Sequence, residues 1–394
     1  MGKKCVIWGT RAAGRQLARQ AVDMGYHVFA FCSSTKETQK KQIDNYPVIS
    51  PEVLVRLYSI KEVATVFLGV KNPSYRKEIE ELVKQLPPLD FSVISQETDL
   101  LELECLERKK EHLSYQWDVS FEEQAKLWLQ NFMGEVESWV RDDALPDGFY
   151  HDVYLQRLEN TDFLGIDTSC EKVCGKLRAG SAVMDIGCGL VSMYGSRLPN
   201  GEEIKLLAVD PLAPFYNRIN QVYGGGKARK CKFGLFEFIA NFCEENSCDA
   251  ILVNNALDHC IDPFKSILEC LYILKSGGIM RLKHRRAEAE YEAYHGLHKW
   301  NIDCGNQNEL IFWNQRSAVN VSKELERVAE IRVFPMDKST SRVSQTVIAE
   351  VVKKRDFQLN EFFDMKKERR QLAFLVEGLM RCLAERSQTY LSEL

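Results

Sequence analysis

The stretch Val183-Met-Asp-Ile-Gly-Cys-Gly-Leu190 constrains the fold more than any other part of the chain. An apolar run, AVMDI, breaks directly into Gly187 and Gly189, as a buried strand does when it enters a tight turn. Glycines at such a turn let backbone approach a ligand with no Cβ in the way, and Asp185 brings a carboxylate to the same place. Past Gly189 the next apolar run, KLLAV, ends in Asp210. A carboxylate at that strand end can accept hydrogen bonds from both hydroxyls of a ribose, so the pair of motifs predicts an open parallel sheet with its ligand over the carboxyl ends of the strands.

The same alternation continues on either side. After Asp210 come a short run near Cys231 to Phe233 leading to Gly234 and Glu237, then DAILV ending in NNALDH, then GGIMRLK, and finally EIRVF and SQTVIAEVV. Five parallel strands and a terminal β pair fit this order, although strand counts alone also permit a dehydrogenase. Earlier, Cys5 to Trp8, His27 to Cys32, Thr65 to Val70 and Phe91 to Ile94 read as strands, with an amphipathic helix through Gln20. The fold class expected is therefore α/β, with two Rossmann-like domains joined by a helical connector and followed by a C-terminal helix. The expected boundaries are 1–100, 101–165, 166–355 and 356–394.

In the connector, Phe121, Ala125, Trp128, Leu129, Phe132, Val136, Trp139 and Val140 fall on one stripe at helical spacing, and RDDALPDG stops the helix. Phe363, Leu372, Leu375, Leu379 and Leu383 form a second stripe, suited to packing on the domain or on a second copy of the chain.

With 394 residues the chain exceeds one comfortable core. A formal net charge of -4 offers no field for nucleic acid or an anionic membrane. The 13 cysteines, several inside strands, fit reduced thiols better than a disulfide framework, and their spacings match no zinc ribbon. MGKKCVIWG lacks the apolar core of a signal peptide, and no apolar run approaches a membrane span. A soluble, cytoplasmic protein is expected.

Asp-Ile-Gly-Cys-Gly, Asp210 and LKSGG at Leu274 to Gly278 resemble class I S-adenosylmethionine-dependent methyltransferases. AVDPLAPFYN, NALDHCIDP, HRRAEAEYEAYHGLHKWNID and FWN resemble more closely a bacterial group of such enzymes, over roughly Leu127 to Val352. The resemblance implies a seven-stranded sheet and S-adenosylmethionine as cofactor. It implies that Asp185, Gly187 and Gly189 cradle the methionine portion, that Asp210 binds the ribose and that Asn255 lines the sulfonium side, with Cys188, Pro211 and Asp258 beside them. Leu235 stands where relatives often carry an acid next to the adenine, so that contact falls to Glu237. Read singly, Asp185 and Asp210 could be helix caps and Cys188 a small turn residue; methyl transfer needs no covalent intermediate.

The connection after the fifth strand holds His284, Arg285, Arg286, Tyr294, His295, His298 and Trp300. An acceptor hydroxyl needs its proton removed, a task suited to histidine near neutral pH. His259, His295 and His298 are the candidates for it, each with a hydrogen-bonded packing role as its alternative. Arg285, Tyr294 and Trp300 are candidate substrate contacts. His295 and His298 could join Asp303 on a metal, but a fourth ligand is not in evidence and no metal is expected.

The first strand runs into Gly9-x-Arg11-x-x-Gly14, with Arg11 where a dinucleotide fingerprint has its middle glycine, and the second strand ends at Ser33 and Ser34 where NAD binding calls for an acid. With DNYPVISPEVL, the segment resembles the Rossmann-like N-terminal module of several sugar-modifying acyltransferases and methyltransferases. A module that keeps the fold without binding NAD is expected, serving in docking or sensing. Arg11 and the helix N-terminus behind it leave binding of an anionic group open, while an NADP-dependent oxidoreductase is disfavoured by Arg11. The expected function is methyl transfer to an oxygen of a sugar, nucleotide sugar, polysaccharide precursor or small metabolite. A sensing or docking protein that binds S-adenosylmethionine or a nucleotide and transfers nothing is the alternative. The partners expected are a small-molecule or glycan acceptor, with a homodimer possible through the C-terminal helix.

Overall fold

The computed structural model describes residues 3–36, 38–39, 42–70, 77, 79, 81–82, 121–148, 150–159, 173, 175–292, 294–305, 307–334 and 346–393. The expected strand at Phe91 to Ile94 and the start of the connector lie outside them. The chain forms two compact units: the first holds Met1–Ser114 and Ala287–His295, and the second holds Tyr115–Arg286, Gly296–Asp337 and Gln345–Leu394. The described connector helix and the C-terminal helix both fall inside the second unit.

In the first unit, β1 (Lys4–Trp8), β2 (His27–Cys32), β4 (Tyr46–Ile49) and β5 (Thr65–Leu68) are parallel, and β3 (Gln42–Ile43) adds an antiparallel edge. The order β3-β4-β2-β1-β5 puts the apolar β1 in the interior, with Cys5 to Trp8 buried. Helices α1 (Ala12–Asp23) and α2 (Pro51–Ser59) alternate with these strands. The glycines of the first turn serve packing. A Cβ at Gly14, on α1, would stand 2.0 Å from the carbonyl oxygen of Gly9, and one at Gly9 would stand 2.6 Å from that of Gly69. Close approach of strand and helix therefore accounts for both glycines that survive from the fingerprint.

The second unit is built on a seven-stranded sheet in the order β14-β15-β10-β9-β6-β7-β8. Its members are β6 (Ala182–Ile186), β7 (Lys205–Asp210), β8 (Lys232–Phe233), β9 (Cys248–Asn254), β10 (Leu274–Arg285), β14 (Ala329–Phe334) and β15 (Thr346–Lys353). Strands β6 to β10 are parallel, and β15 is antiparallel to both β10 and β14. This is the sheet order of class I methyltransferases, as the sequence resemblance implied. Strand order reverses beside β6, where a ligand crevice opens in such sheets. The runs MDI and AILV are buried on both faces because helices cover both sides. Helix α6 (Pro263–Ile273) starts at Asp262, whose carboxylate accepts the Lys265 backbone N–H at 3.0 Å, with Pro263 in the first turn.

Helix α3 (Phe121–Trp139) buries Phe121, Ala125, Trp128, Phe132, Met133 and Val136, continues into a π-helical turn at Val140–Ala144, and is followed by α4 (His151–Glu159). Its apolar stripe packs with Phe215, Tyr216 and Ile219 of α5 (Ala213–Val222) and with Leu375 and Leu379 of α9 (Met365–Glu393). A Cβ at Gly378 would lie 2.3 Å from Leu129, so α9 runs tightly against α3. The C-terminal stripe therefore covers its own unit at Leu375 and Leu379, Phe363 joins a different core cluster, and the side chain of Leu383 lies outside the described residues.

Between β10 and β14 lie two short helices, α7 (Glu288–Tyr291) and α8 (Val321–Glu324), and an antiparallel meander of β11 (Asn301–Cys304), β12 (Leu310–Trp313) and β13 (Ala318–Asn320) that the sequence patterns did not reveal. Within it the buried Asp303 pairs with Arg286 and accepts from the Trp313 indole. Among the described residues no helix is long and apolar enough to cross a membrane.

Candidate active site

A cavity of about 460 Å³ lies in the second unit, at the carboxyl ends of β6, β7 and β9, a size suited to a cofactor-sized ligand. Its floor is the turn after β6. Gly187 and Gly189 have φ of +69° and +65°, and a Cβ at Gly187 would stand 2.3 Å from the Ala256 methyl group. The positive φ and the contact together require glycine at 187. Asp185 is buried and accepts from the Ser192 hydroxyl at 2.6 Å. Burial pushes its carboxyl up to about 7 against that hydrogen bond, with Asp210 adding to the rise.

Asp210, at the end of β7, accepts the Leu212 and Gly189 backbone N–H groups at 2.8 and 3.2 Å, one on each oxygen. Each oxygen retains a second lone-pair site for a diol. Burial raises its carboxyl to about 6, so a hydrogen-bond donor arriving at the site would favour the ionised form. Pro211 and Leu212 continue this wall. Cys188 lines the cavity, but its thiol lies 3.1 Å from that of Cys231, and this contact with burial raises its pKa well above the ordinary value. Such a thiol is a poor nucleophile and serves as a small turn residue.

Glu237 and Asn255 line the cavity with part of their polar groups engaged. Glu237 accepts the backbone N–H groups of Ile261 and Asp262, tying the turn after β9 to the segment after β8. Burial moves its carboxyl up to about 7. Asn255 adopts φ +50°, tolerable for asparagine, and its side-chain oxygen accepts the Arg285 backbone N–H at 2.9 Å.

Two imidazoles and a carboxylate gather at the opposite wall. Asp258, His259 and His298 converge there: the Asp258 carboxylate oxygen is 2.6 Å from His298 Nδ1 and 3.4 Å from His259 Nε2, and the two ring nitrogens are 3.1 Å apart. Asp258 is not itself a wall residue. Its side chain is 0% exposed and lies beneath the two imidazoles, which are 23% and 24% exposed and do face the cavity. The expectation that Asp258 contacts cofactor gives way to a supporting position, because the turn after β9 points it into the protein. Burial alone would push its carboxyl up, yet the imidazoles of His259 and His298 outweigh it and hold the group at about 2.

Four further candidates lie elsewhere. His295 is exposed and Tyr294 donates to Glu290 at 2.9 Å; both belong to the first unit. Gly296, with φ +57°, turns the chain before Leu297 and His298 join the cavity wall, so of the two histidines, with two residues between them, only His298 lines the cavity. Trp300 is a core residue whose indole donates to the Ile261 carbonyl at 3.2 Å, and Arg285 is not among the cavity-lining residues. Nor do His295, His298 and Asp303 converge, since Asp303 is held by Arg286.

Several wall residues had no signal beyond periodicity. From α3 and the turn after it come Glu135, Trp139, Asp142 and Asp143, and from α4 Arg157. Glu135 accepts the Trp139 indole at 3.0 Å and stands 3.9 Å from His259 Nδ1. A carboxylate one turn before a tryptophan on an apolar stripe was the available clue. His284, on β10, is 1% exposed with neither ring nitrogen hydrogen-bonded, and burial holds it neutral with a pKa of about 4.

Residues 184–282, about a quarter of the chain, match the family model described as a methyltransferase domain. The match spans the glycine turn, Asp210 and the Asp258–His259 turn, and the cofactor of this domain is S-adenosylmethionine. Among solved structures, the chain is similar to a putative sarcosine dimethylglycine methyltransferase from Galdieria sulphuraria, with 24% identity over 35% of this chain and 46% of that one and a TM-score of 0.24. It thus spans about half the length of that protein. It is also similar to N-methyltransferase NodS from Bradyrhizobium japonicum WM9, solved with S-adenosyl-L-homocysteine (16% identity, 57% of this chain, 100% of that chain, TM-score 0.35). A possible histamine N-methyltransferase from Thermotoga maritima gives 17% identity over 59% of this chain and 100% of that chain, with a TM-score of 0.33. No curated protein sequence matches.

Proposed function

We propose that the protein transfers a methyl group from S-adenosylmethionine to an oxygen of a small polar acceptor, such as a sugar, a nucleotide sugar, a polysaccharide precursor or a small metabolite. The observation that carries this reading is one cavity lined on one side by the glycine turn and Asp210 and on the other by His259 and His298 over a buried Asp258. The residues present fit the cofactor: Asp210 keeps lone pairs for the ribose, and the positive-φ glycines present bare backbone toward the space. When bound, S-adenosylmethionine supplies an electrophilic methyl group on a sulfonium.

The chain's own residues then have two tasks. The first is to hold the two reactants in line, which is where most of the rate gain in such a displacement arises. The second is to manage the acceptor's proton, since a hydroxyl is a weak nucleophile until that proton leaves. An amine acceptor has less need of such a group, so two imidazoles backed by a buried carboxylate favour oxygen. The choice of a sugar-type acceptor rests on the resemblance of the first unit to modules of sugar-modifying enzymes.

Isothermal titration with S-adenosylmethionine, followed by a radiolabelled methyl-transfer screen beginning with nucleotide sugars, tests the reading. Donor binding with transfer to a hydroxyl compound supports it. Donor binding with no transfer to any hydroxyl acceptor would favour the sensing alternative, and no binding by folded protein would overturn both.

A further inference from the structure

The three atoms that meet at the acceptor wall are arranged as ligands of a cation. Asp258 Oδ2, His259 Nε2 and His298 Nδ1 form a triangle with sides of 2.6, 3.1 and 3.4 Å. Three ligands held at right angles by bonds of about 2.1 Å would lie about 3.0 Å apart, and tetrahedral ones about 3.4 Å, so the 3.1 and 3.4 Å sides fit and the 2.6 Å side, a hydrogen bond between Asp258 and His298, would open when a cation enters. A proton relay needs only a carboxylate on one nitrogen of a single imidazole, which the Asp258–His298 contact supplies. Here a second imidazole turns its Nε2 to the same point.

Two further observations point the same way. The other nitrogen of His259, Nδ1, lies 3.9 Å from the Glu135 carboxylate, too far for a hydrogen bond as it stands but within a small side-chain shift of the carboxylate contact that usually backs a metal-bound histidine. Asp258 Oδ1 is buried and has no hydrogen-bond partner, leaving the carboxylate unfilled on its second oxygen. The cluster is also held from both strands of chain that form it: the Lys299 and Trp300 N–H groups donate to the Asp258 carbonyl at 2.9 and 3.3 Å, and the Trp128 indole donates to the His259 carbonyl at 2.9 Å.

We infer that Asp258, His259 and His298 bind a divalent transition ion whose remaining coordination positions face the cavity. Two imidazoles and one carboxylate suit zinc, iron(II), cobalt or nickel better than magnesium or calcium, which favour oxygen. The site stands on its own geometry; its role in turnover rests on the methyltransferase reading. In that role the cation draws the acceptor hydroxyl and acidifies it. The oxygen–methyl bond forms as the methyl–sulfur bond breaks, and the proton passes to the Glu135 carboxylate, which lines the same cavity.

The test uses the full chain without an affinity tag, stripped with a chelator and titrated with cobalt(II), reading the visible d–d absorption, and with zinc(II) by calorimetry. S-adenosylmethionine is titrated in parallel. One equivalent of cobalt is expected, with affinity falling at least about 100-fold in His259→Ala and in His298→Ala and about tenfold in Glu135→Gln, whose side chain does not touch the cation. Circular dichroism melts report whether each variant folds, and the Glu135 variant remains informative if a histidine variant does not. No cobalt spectrum in protein that still binds S-adenosylmethionine overturns the cation site and leaves the methyltransferase reading in place. Cobalt binding that survives both histidine substitutions also overturns it. Cobalt binding lost in the variants, in protein that never binds S-adenosylmethionine, supports the site and removes its proposed role.

Discussion

Asp258 and His298, forty residues apart, meet at 2.6 Å with the aspartate wholly enclosed and the imidazole at the cavity surface. A carboxylate so placed sets the position of the ring it holds. Asp258→Asn is therefore expected to lower kcat by about 10² to 10³ while the Kd for S-adenosylmethionine changes by less than about threefold, because the proposed donor contacts lie on the opposite wall. A purely structural role would weaken donor binding and kcat together; steady-state kinetics beside calorimetry separate the two.

Asp210→Asn addresses that opposite wall. The carboxylate accepts one backbone N–H on each oxygen, and an amide can preserve only one of these, turning its NH₂ toward a second donor. The Kd for S-adenosylmethionine is expected to rise about 10- to 100-fold, equivalent to about 1.4 to 2.7 kcal/mol. Unchanged affinity, measured by calorimetry, would remove Asp210 from the ribose site.

Substitution of Gly187 tests the turn without altering any charge. Gly187→Ala places a methyl group 2.3 Å from that of Ala256 and forces alanine to φ +69°. Destabilisation of about 1 to 3 kcal/mol is expected in denaturant melts. Adding Ala256→Gly should recover part of the loss, that due to the clash, and leave the part due to backbone strain. Full recovery or none would show that only one of the two causes operates.

The ligand-free protein should be less stable in mild base than in mild acid. Burial pushes Asp185 and Glu237 up to about 7 and Asp210 up to about 6. In the unfolded chain such groups titrate near 4, so between these limits the folded state binds more protons and stability falls as pH rises. The Tm without ligand is expected to drop from pH 5 to pH 8, and S-adenosylmethionine should narrow the difference by satisfying Asp210. A Tm that rises over this interval would contradict the burial of these carboxylates.

Sheet order, the turn at Asp185 to Gly189 and the position of Asp210 were legible because each depends on local pattern: an apolar run, two glycines and a strand-end acid. The depth of Asp258 was not, since its neighbour His259 reaches the cavity and the sequence carries no sign of which of two adjacent polar side chains turns inward. Likewise His295 and His298 look equivalent, and nothing in the sequence tells that only the second lines the cavity, beyond Gly296 at φ +57°. Helical periodicity marked the packing face of α3 correctly but could not show that Glu135 and Trp139 sit at its edge over a cavity. The meander β11 to β13 escaped because its strands span only three or four residues, too short for alternation to register.

Asp258 grips the segment around His298 twice, through its side chain to the ring and through its carbonyl to the next two N–H groups. The spacing of the two imidazoles is thereby a property of one residue rather than of two loops. If thermal motion displaces the turn after β9, His298 travels with His259, and the distance between their nitrogens is conserved while their distance to the glycine turn varies. Fluctuations of this wall would thus alter the reach between donor and acceptor sites without disturbing the internal geometry of the histidine pair.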